Sequence, residues 1–333
     1  MVLELTLLSR LNMSDSCEGS WEDFPVLTSS IDVAVAALRR GDLVAIPTET
    51  VYGLAADASS LDAVRRIYVA KGRPSSHPVI VHIAGVEELI HWATSIPVWA
   101  RSLAEAFWPG PLTLILPRAA GVGDWVTGGQ ANVGLRVPGH QIALEILKRS
   151  GLGLAAPSAN RFGAVSPTTS SAVFEDLGPF LEIGRDLIFE GGDCAVGLES
   201  TIVDATSTHP SILRVGAITR EEIEEITGLK VVESENKIRS PGILASHYSP
   251  RAKVHLAVVG SAGGFIGLAE IATPAGLVRL ASPADVFEYA QILYESLRRA
   301  DALGLDQVVA IAPEGGGLAA AIRDRLQRAA ASP

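Results

Sequence analysis

Two cysteines in 333 residues, Cys17 and Cys194, are too few and too far apart for a disulfide framework or a cysteine-rich metal site. Aromatic residues make up only 5% of the chain, so Ala, Val, Leu and Ile must fill the core, as in layered α/β proteins. No apolar run approaches bilayer length, and the early stretch Leu5–Leu8, next to Glu4, is too short for a secretory signal. A reducing, cytoplasmic setting without a membrane partner is therefore expected. Basic clusters are missing as well. The densest are mere pairs, Arg65-Arg66 and Arg298-Arg299 among them, in a chain of formal net charge −10. Counterion release needs grouped Lys and Arg, so non-specific binding to a nucleic-acid backbone is disfavoured, whereas a local pocket for a small anion is not. A phosphate-cradling G-x-x-x-x-G-K-[ST] loop is also absent.

What remains is a chain with 48% hydrophobic and 19% charged residues, enough apolar material for buried sheets and long enough for two domains. Residues 1–24 read as a flexible leader, 25–232 as one domain, 233–252 as a linker or lid, and 253–333 as a smaller α/β unit. Ile31, Val35 and Leu38 mark a first helix, and Leu61, Val64, Ile67 and Tyr68 share one face of a second, entered through Ser59-Ser60. Strands are expected over Leu43–Pro47, Val79–Ile83, Leu112–Leu116, Val133–Val137, Leu152–Ala156, Leu187–Phe189, Thr201–Val203 and Ile212–Val215. Helices are expected over 86–94, 97–107, 140–149, 169–177 and 219–227. So many strands, several without intervening helices, favour a twisted mixed sheet. In the smaller unit, strand Val254–Val259, a glycine loop Gly260–Gly267, strand Leu277–Leu280, a helix over 284–300, strand Val308–Ala312 and a helix near 317–329 follow.

Polar residues gather at strand ends. Lys71 and Arg73 flank Gly72 where Pro74 stops a helix, so both cations leave a bend. They suit a polyphosphate, or simply the helix dipole. Ser158 and Asn160 end a strand at Pro157, where open sheets keep ligands or chains merely turn. Ser166 precedes a helix and reads as a cap or a phosphate contact. Thr48, Glu49 and Thr50 follow a strand as turn formers or ligand contacts. Arg136 alternates with apolar residues inside a strand, which calls for a carboxylate or phosphate partner. Asn132 opens that strand, and Glu199–Asp204 and Leu213–Gly216 repeat the theme. His77 and His82 lack a carboxylate for a metal site. Gly151–Ala156 matches G-x-G-x-x-A on paper, but Pro157 forbids the helix that motif needs. Gly260–Gly267 suits a second nucleotide site or a tight turn.

Taken in order, Pro47-Thr-Glu-Thr-Val-Tyr-Gly53, Lys71-Gly-Arg73-Pro74, Trp108-Pro-Gly-Pro-Leu-Thr113, Gly134-Leu-Arg136-Val-Pro138, Pro157-Ser-Ala-Asn160, Glu199–Asp204, Ser240-Pro-Gly242 and His247-Tyr248 resemble the threonylcarbamoyl-AMP synthase family in its two-domain form. The resemblance implies an α/β protein: a YrdC-like catalytic domain on a twisted mixed sheet, with a smaller Rossmann-like C-terminal domain. The implied reaction is a nucleotidyl transfer from ATP, with Mg2+ bound through phosphates, to L-threonine and bicarbonate or CO2. Its product would pass to a separate tRNA threonylcarbamoyl transferase for the t6A37 modification, so that direct tRNA binding is not required of this chain. By position, Lys71, Arg73, Ser158 and Asn160 would form the active-site tetrad. Ser75, Asn132, Ser166, Arg214 and Tyr248 would join in holding ATP. Thr48, His82, Arg136, Ala156 and Ser200 would hold threonine. Two rivals stand beside this reading: a double-stranded RNA-binding protein, and an adenylating enzyme fed by carbamoyl phosphate.

Overall fold

The computed structural model describes residues 26–233, 238–242, 248–257, 260 and 262–331. The expected leader over 1–24 lies outside them, as do His247, parts of the expected linker and the end of the strand expected over Val254–Val259.

In chain order the first domain contains β1 (Val26–Thr28), α1 (Ile31–Arg39), β2 (Val44–Ile46), β3 (Gly53–Asp57), α2 (Leu61–Lys71), β4 (Ile80–His82), α3 (Leu89–Trp92) and α4 (Val98–Phe107). It continues with β5 (Leu112–Pro117), α5 (Asp124–Thr127), β6 (Asn132–Arg136), α6 (Gln141–Ser150), β7 (Leu154–Ala155), α7 (Ser170–Leu177), β8 (Leu187–Phe189), β9 (Thr201–Asp204), β10 (Ser211–Arg214) and α8 (Arg220–Thr227). The second domain contains β11 (Lys253–His255), β12 (Gly264–Ile266), β13 (Val278–Ala281), α9 (Val286–Ala302), β14 (Gln307–Ala310) and α10 (Leu318–Ala330).

The first ten strands form one mixed sheet in the order β1-β8-β2-β3-β7-β4-β6-β5-β9-β10. Its central strands are buried on both faces, which suits their largely apolar sequences. Helix α2 sets up the first cluster of polar residues. Ser60 caps its start by accepting from the Ala63 amide, and Gly72 ends it at φ 63°, a left-handed position suited to glycine. Lys71 thus closes the last turn and Arg73 leaves in a new direction.

Three expectations require correction. The helix expected over 86–94 is a 3-10 turn, Val86–Glu88, followed by the short α3, because Gly85 and the acidic pair Glu87-Glu88 open no capped helix. The strand expected over Leu152–Ala156 pairs only at Leu154 and Ala155. In the second domain the glycine loop Gly260–Gly267 contains β12, a strand at the heart of a parallel sheet ordered β11-β14-β12-β13. A Cβ on Gly264 would lie 2.4 Å from Leu280 Cδ1, so this glycine serves close packing rather than a phosphate.

The two sheets share a core. Val51, Val165 and Leu198 of the first domain pack with Tyr289, Leu293, Leu297, Ile322 and Leu326 of α9 and α10, and Tyr248 between the domains joins them. Two ion pairs, one half-buried and one buried, cross the same boundary. Arg298 of α9 holds Asp176 and the Val165 carbonyl, and Arg325 of α10 holds Glu199. Among the described residues no helix is long and apolar enough to cross a membrane.

Candidate active site

Two loops cross at the centre of the large sheet. Thr48 Oγ1 accepts from the amides of Thr50 and Val51 and donates to the Val51 carbonyl at 2.6 Å, closing the first loop on itself. The chain then runs beside Pro157–Asn160. Leu54 donates its amide to the Pro157 carbonyl, Ala159 donates to Tyr52, and Gly53 bridges Ser158.

Lys71 ties this crossing from behind. Its buried Nζ donates to the carbonyls of Ser158 and Asn160, each at 2.5 Å. Burial, and then the Arg73 charge, push its pKa well below the ordinary lysine value. Asn160 donates from Nδ2 to the carbonyls of Arg161 and Ala164, both at 2.8 Å, while its buried Oδ1 has no partner among the described residues. Arg73 donates from Nη2 to the Pro78 carbonyl at 2.7 Å and lies over the Phe162 ring. Its Nε is buried without a partner among the described residues, and burial lowers its pKa to about 10.

On β4 and β6, His82 and Arg136 are register neighbours. Arg136 donates from Nη2 to Glu49 Oε1 at 2.6 Å and from Nε to the Gly110 carbonyl. The carboxylate partner that an arginine inside a strand requires is therefore Glu49. Burial, reinforced by Arg136, pushes His82 well below its ordinary value, so the imidazole is neutral at pH 7. Its Nδ1 has no partner among the described residues.

The opposite wall is built from β9, β10 and the linker. Arg214 donates to the Ser200 carbonyl and Oγ, both at 3.0 Å, and to the Pro241 carbonyl at 3.1 Å; Ser200 Oγ also meets Thr113 Oγ1. Gly242 sits at φ 79°, where a Cβ would lie 2.2 Å from the Tyr248 hydroxyl oxygen, so the linker approaches closely only as glycine. Glu199 is buried beside them. It accepts from Ser166 Oγ at 2.6 Å, Tyr294 Oη at 2.8 Å and Arg325 Nε at 2.8 Å. Burial opposes ionisation, but Arg325, Arg214 and Ser166 together hold its carboxyl down at about 2.

These walls enclose a cavity of about 50 Å3. Thr48, Arg73, His82, Arg136, Ala156, Ser158, Ser200, Arg214 and Tyr248 all line it. Lys71, Asn160 and Ser166 stand one layer behind, each bonded to the loops that do. Asn132 lines an adjoining cleft that shares Ile80 and Pro241 with the cavity. Ser75 is exposed on the turn after Arg73 and reaches neither space. Thr50 lines the wall as well, and so do Pro241 and Gly242, which the sequence marks only as part of a motif. Among the described residues, no group of three His, Cys, Asp or Glu side chains converges as metal ligands.

A family model described as "Telomere recombination" (Sua5_yciO_yrdC) matches residues 36–216, and one described as "Threonylcarbamoyl-AMP synthase, C-terminal domain" matches 218–331. The threonylcarbamoyl-AMP synthase of Pyrococcus abyssi is 39% identical over 322 residues, which cover 90% of this chain and 93% of the relative. That of Bacillus subtilis is 38% identical, covering 89% and 92%. The crystal structure of P. abyssi Sua5 complexed with L-threonine superposes with a TM-score of 0.81 at 37% identity, covering 90% of this chain and 94% of that one.

Proposed function

Because the chain belongs to the threonylcarbamoyl-AMP synthase family, in its two-domain form, we propose that it is a nucleotidyltransferase that joins L-threonine, bicarbonate or CO2, and ATP into threonylcarbamoyl-AMP and pyrophosphate. The observation that carries this reading is a cavity with three guanidinium groups, Arg73, Arg136 and Arg214, in its walls. The carboxylate in that wall, Glu199, is engaged by Arg325, so the cavity presents net positive charge to an anionic ligand.

The chemistry follows from the substrates. The neutral amine of threonine forms an N–C bond to CO2 and gives up a proton to solvent, leaving a carbamate. A carbamate oxygen then attacks the α-phosphorus of ATP, and the bond from that phosphorus to the bridging oxygen breaks as pyrophosphate departs. The carbamate is already an anion, so this step needs no side-chain base. The barrier lies in bringing anion to phosphate, and fixed cations lower it. Arg73 and Arg214 face the triphosphate in our reading, with Tyr248 covering it. Lys71 holds the Ser158–Asn160 turn in place and contributes its charge from behind. Arg136 commits Nη2 to Glu49 and Nε to Gly110, which leaves the rest of its planar fork for the threonine carboxylate. Neutral His82 accepts a hydrogen bond from threonine, with Thr48, Ala156 and Ser200 shaping the same end. Mg2+ would belong to this scheme as part of the ATP substrate, neutralising phosphate charge. We place the reaction in the cytoplasm, with the product passed to a separate tRNA transferase.

Pyrophosphate release, measured with threonine, bicarbonate and ATP each omitted in turn, tests the proposal. Release that requires all three supports it. Release that proceeds without threonine, or only with carbamoyl phosphate, overturns it.

A further inference from the structure

Glu199 presents a chemical difficulty. It is a buried carboxylate in the wall of a cavity proposed to take a triphosphate, and Arg214 of the same wall is one of the cations that pull its pKa down. Left to itself, a carboxylate so placed would turn to Arg214 and compete with phosphate for it. In the structure it does not. Its Oε2 accepts from both Tyr294 and Arg325, which reach it from the second domain, and its Oε1 accepts from Ser166. Arg214 donates instead to Ser200 and Pro241.

We infer that Arg325, with Tyr294, is a positioning residue: it keeps Glu199 engaged so that Arg214 stays available to an anionic ligand. The second domain thereby sets the anion affinity of a cavity built largely by the first. Arg325 is suited to this task. It is fully buried, and its remaining nitrogens are fixed on the Val215 carbonyl and on Asp324. Its guanidinium also lies 5.2 Å from the centre of the Tyr248 ring, on which Tyr294 stacks at 5.8 Å. The same two side chains that hold Glu199 therefore seat the linker tyrosine in the cavity wall. Both linker and wall depend on α9 and α10.

The inference rests on the proposed function only in taking the bound anion to be the phosphates of ATP. Its test uses the full chain and two probes: inorganic pyrophosphate binding by calorimetry, and pyrophosphate release with ATP varied. Arg325→Met should weaken pyrophosphate binding and raise KM for ATP by about tenfold, a typical coupling between sites, while kcat changes less. The deciding measurement is the pair Arg325→Met with Glu199→Gln. Removing the competing charge should restore most of the lost affinity, whereas a merely structural role predicts that a second change in a buried cluster makes matters worse. Tyr294→Phe keeps the ring stacked and removes one donor, so it should move KM the same way by roughly twofold to threefold, about the worth of one hydrogen bond. It also gives an answer if Arg325→Met folds poorly. Unchanged pyrophosphate affinity in Arg325→Met and Tyr294→Phe, or a double variant no tighter than Arg325→Met, overturns the inference. A wild type that binds pyrophosphate but makes no adenylate overturns the proposed function and leaves the affinity comparison intact.

Discussion

Two arginine–glutamate pairs stand at the cavity, one half-buried and one buried, and they are finished to different degrees. On the β4–β6 side, Arg136 holds only one oxygen of Glu49; Glu49 Oε2, His82 Nδ1 and, around the cavity, Arg73 Nε and Asn160 Oδ1 lack partners among the described residues. On the β9–β10 side, both oxygens of Glu199 are bonded, and its partner Arg325 is fixed in turn. Buried polar groups cost free energy when left unpaired, so proteins satisfy them wherever nothing else will. The Glu49 pair leaves one carboxylate oxygen without a partner among the described residues, whereas the Glu199 pair is fully bonded and belongs to both domains.

That contrast can be broken experimentally, beginning with the largest effect. Arg73→Ala should reduce pyrophosphate release by about a thousandfold with folding intact, the scale of losing one preorganised charge donor. Lys71→Ala should be as inactive but should also melt earlier, because the Ser158–Asn160 turn loses its tie; a variant with unaltered melting would contradict that role. On the finished side, Glu199→Gln should cost about 3 kcal/mol of stability at neutral pH by leaving Arg325 without its counter-charge. The pH dependence has a definite sign. The Glu199 carboxyl sits at about 2 rather than the usual 4.5, so its contribution is complete above pH 4.5 and disappears as pH falls towards 2. Denaturant titrations across that window should be steeper for wild type than for Glu199→Gln. Arg136→Ala should raise KM for threonine about a hundredfold and leave KM for ATP near wild type, reflecting one truncated charge pair. Equal rises in both would merge the two ends of the cavity into one site. The smallest effect concerns His82. Its lowered pKa means that neutral imidazole favours the fold above pH 6.5 and that this contribution is lost below it. Melting temperature should therefore fall less between pH 7 and 5 in His82→Gln, while His77 and His140, also lowered, titrate in both proteins.

Much of this was legible in the chain. Leu112–Pro117 and Leu187–Phe189 announce themselves as continuous apolar runs between turns, and Ser60 with Gly72 brackets a helix by capping chemistry. Strand Gly53–Asp57 was not, because Gly-Leu-Ala-Ala-Asp has no β-branched residue and its pairing is dictated by neighbours distant in sequence. Most of the cavity wall could be named from motifs at strand ends, since a strand's end fixes where its polar residues emerge. Arg325 could not. An arginine among others on an amphipathic helix, as with Arg323 and Arg328, reads as a solvent-facing residue, and the carboxylate that keeps Arg325 dry lies 126 positions earlier. Ser75 is placed differently: the bend that delivers Arg73 inward leaves the next polar residue exposed.

The tight enclosure has one more consequence. About 50 Å3 is room for a few water molecules, whereas sites for drug-sized ligands usually offer roughly 300–1,000 Å3. The bond from Arg214 of β10 to the Pro241 carbonyl holds the linker against this narrow space, which leaves little room for solvent beside the reactants. A carbamate and a mixed anhydride, both of which decay in contact with solvent, would be made in nearly dry surroundings. The chamber's smallness would then set the shelf life of what it makes.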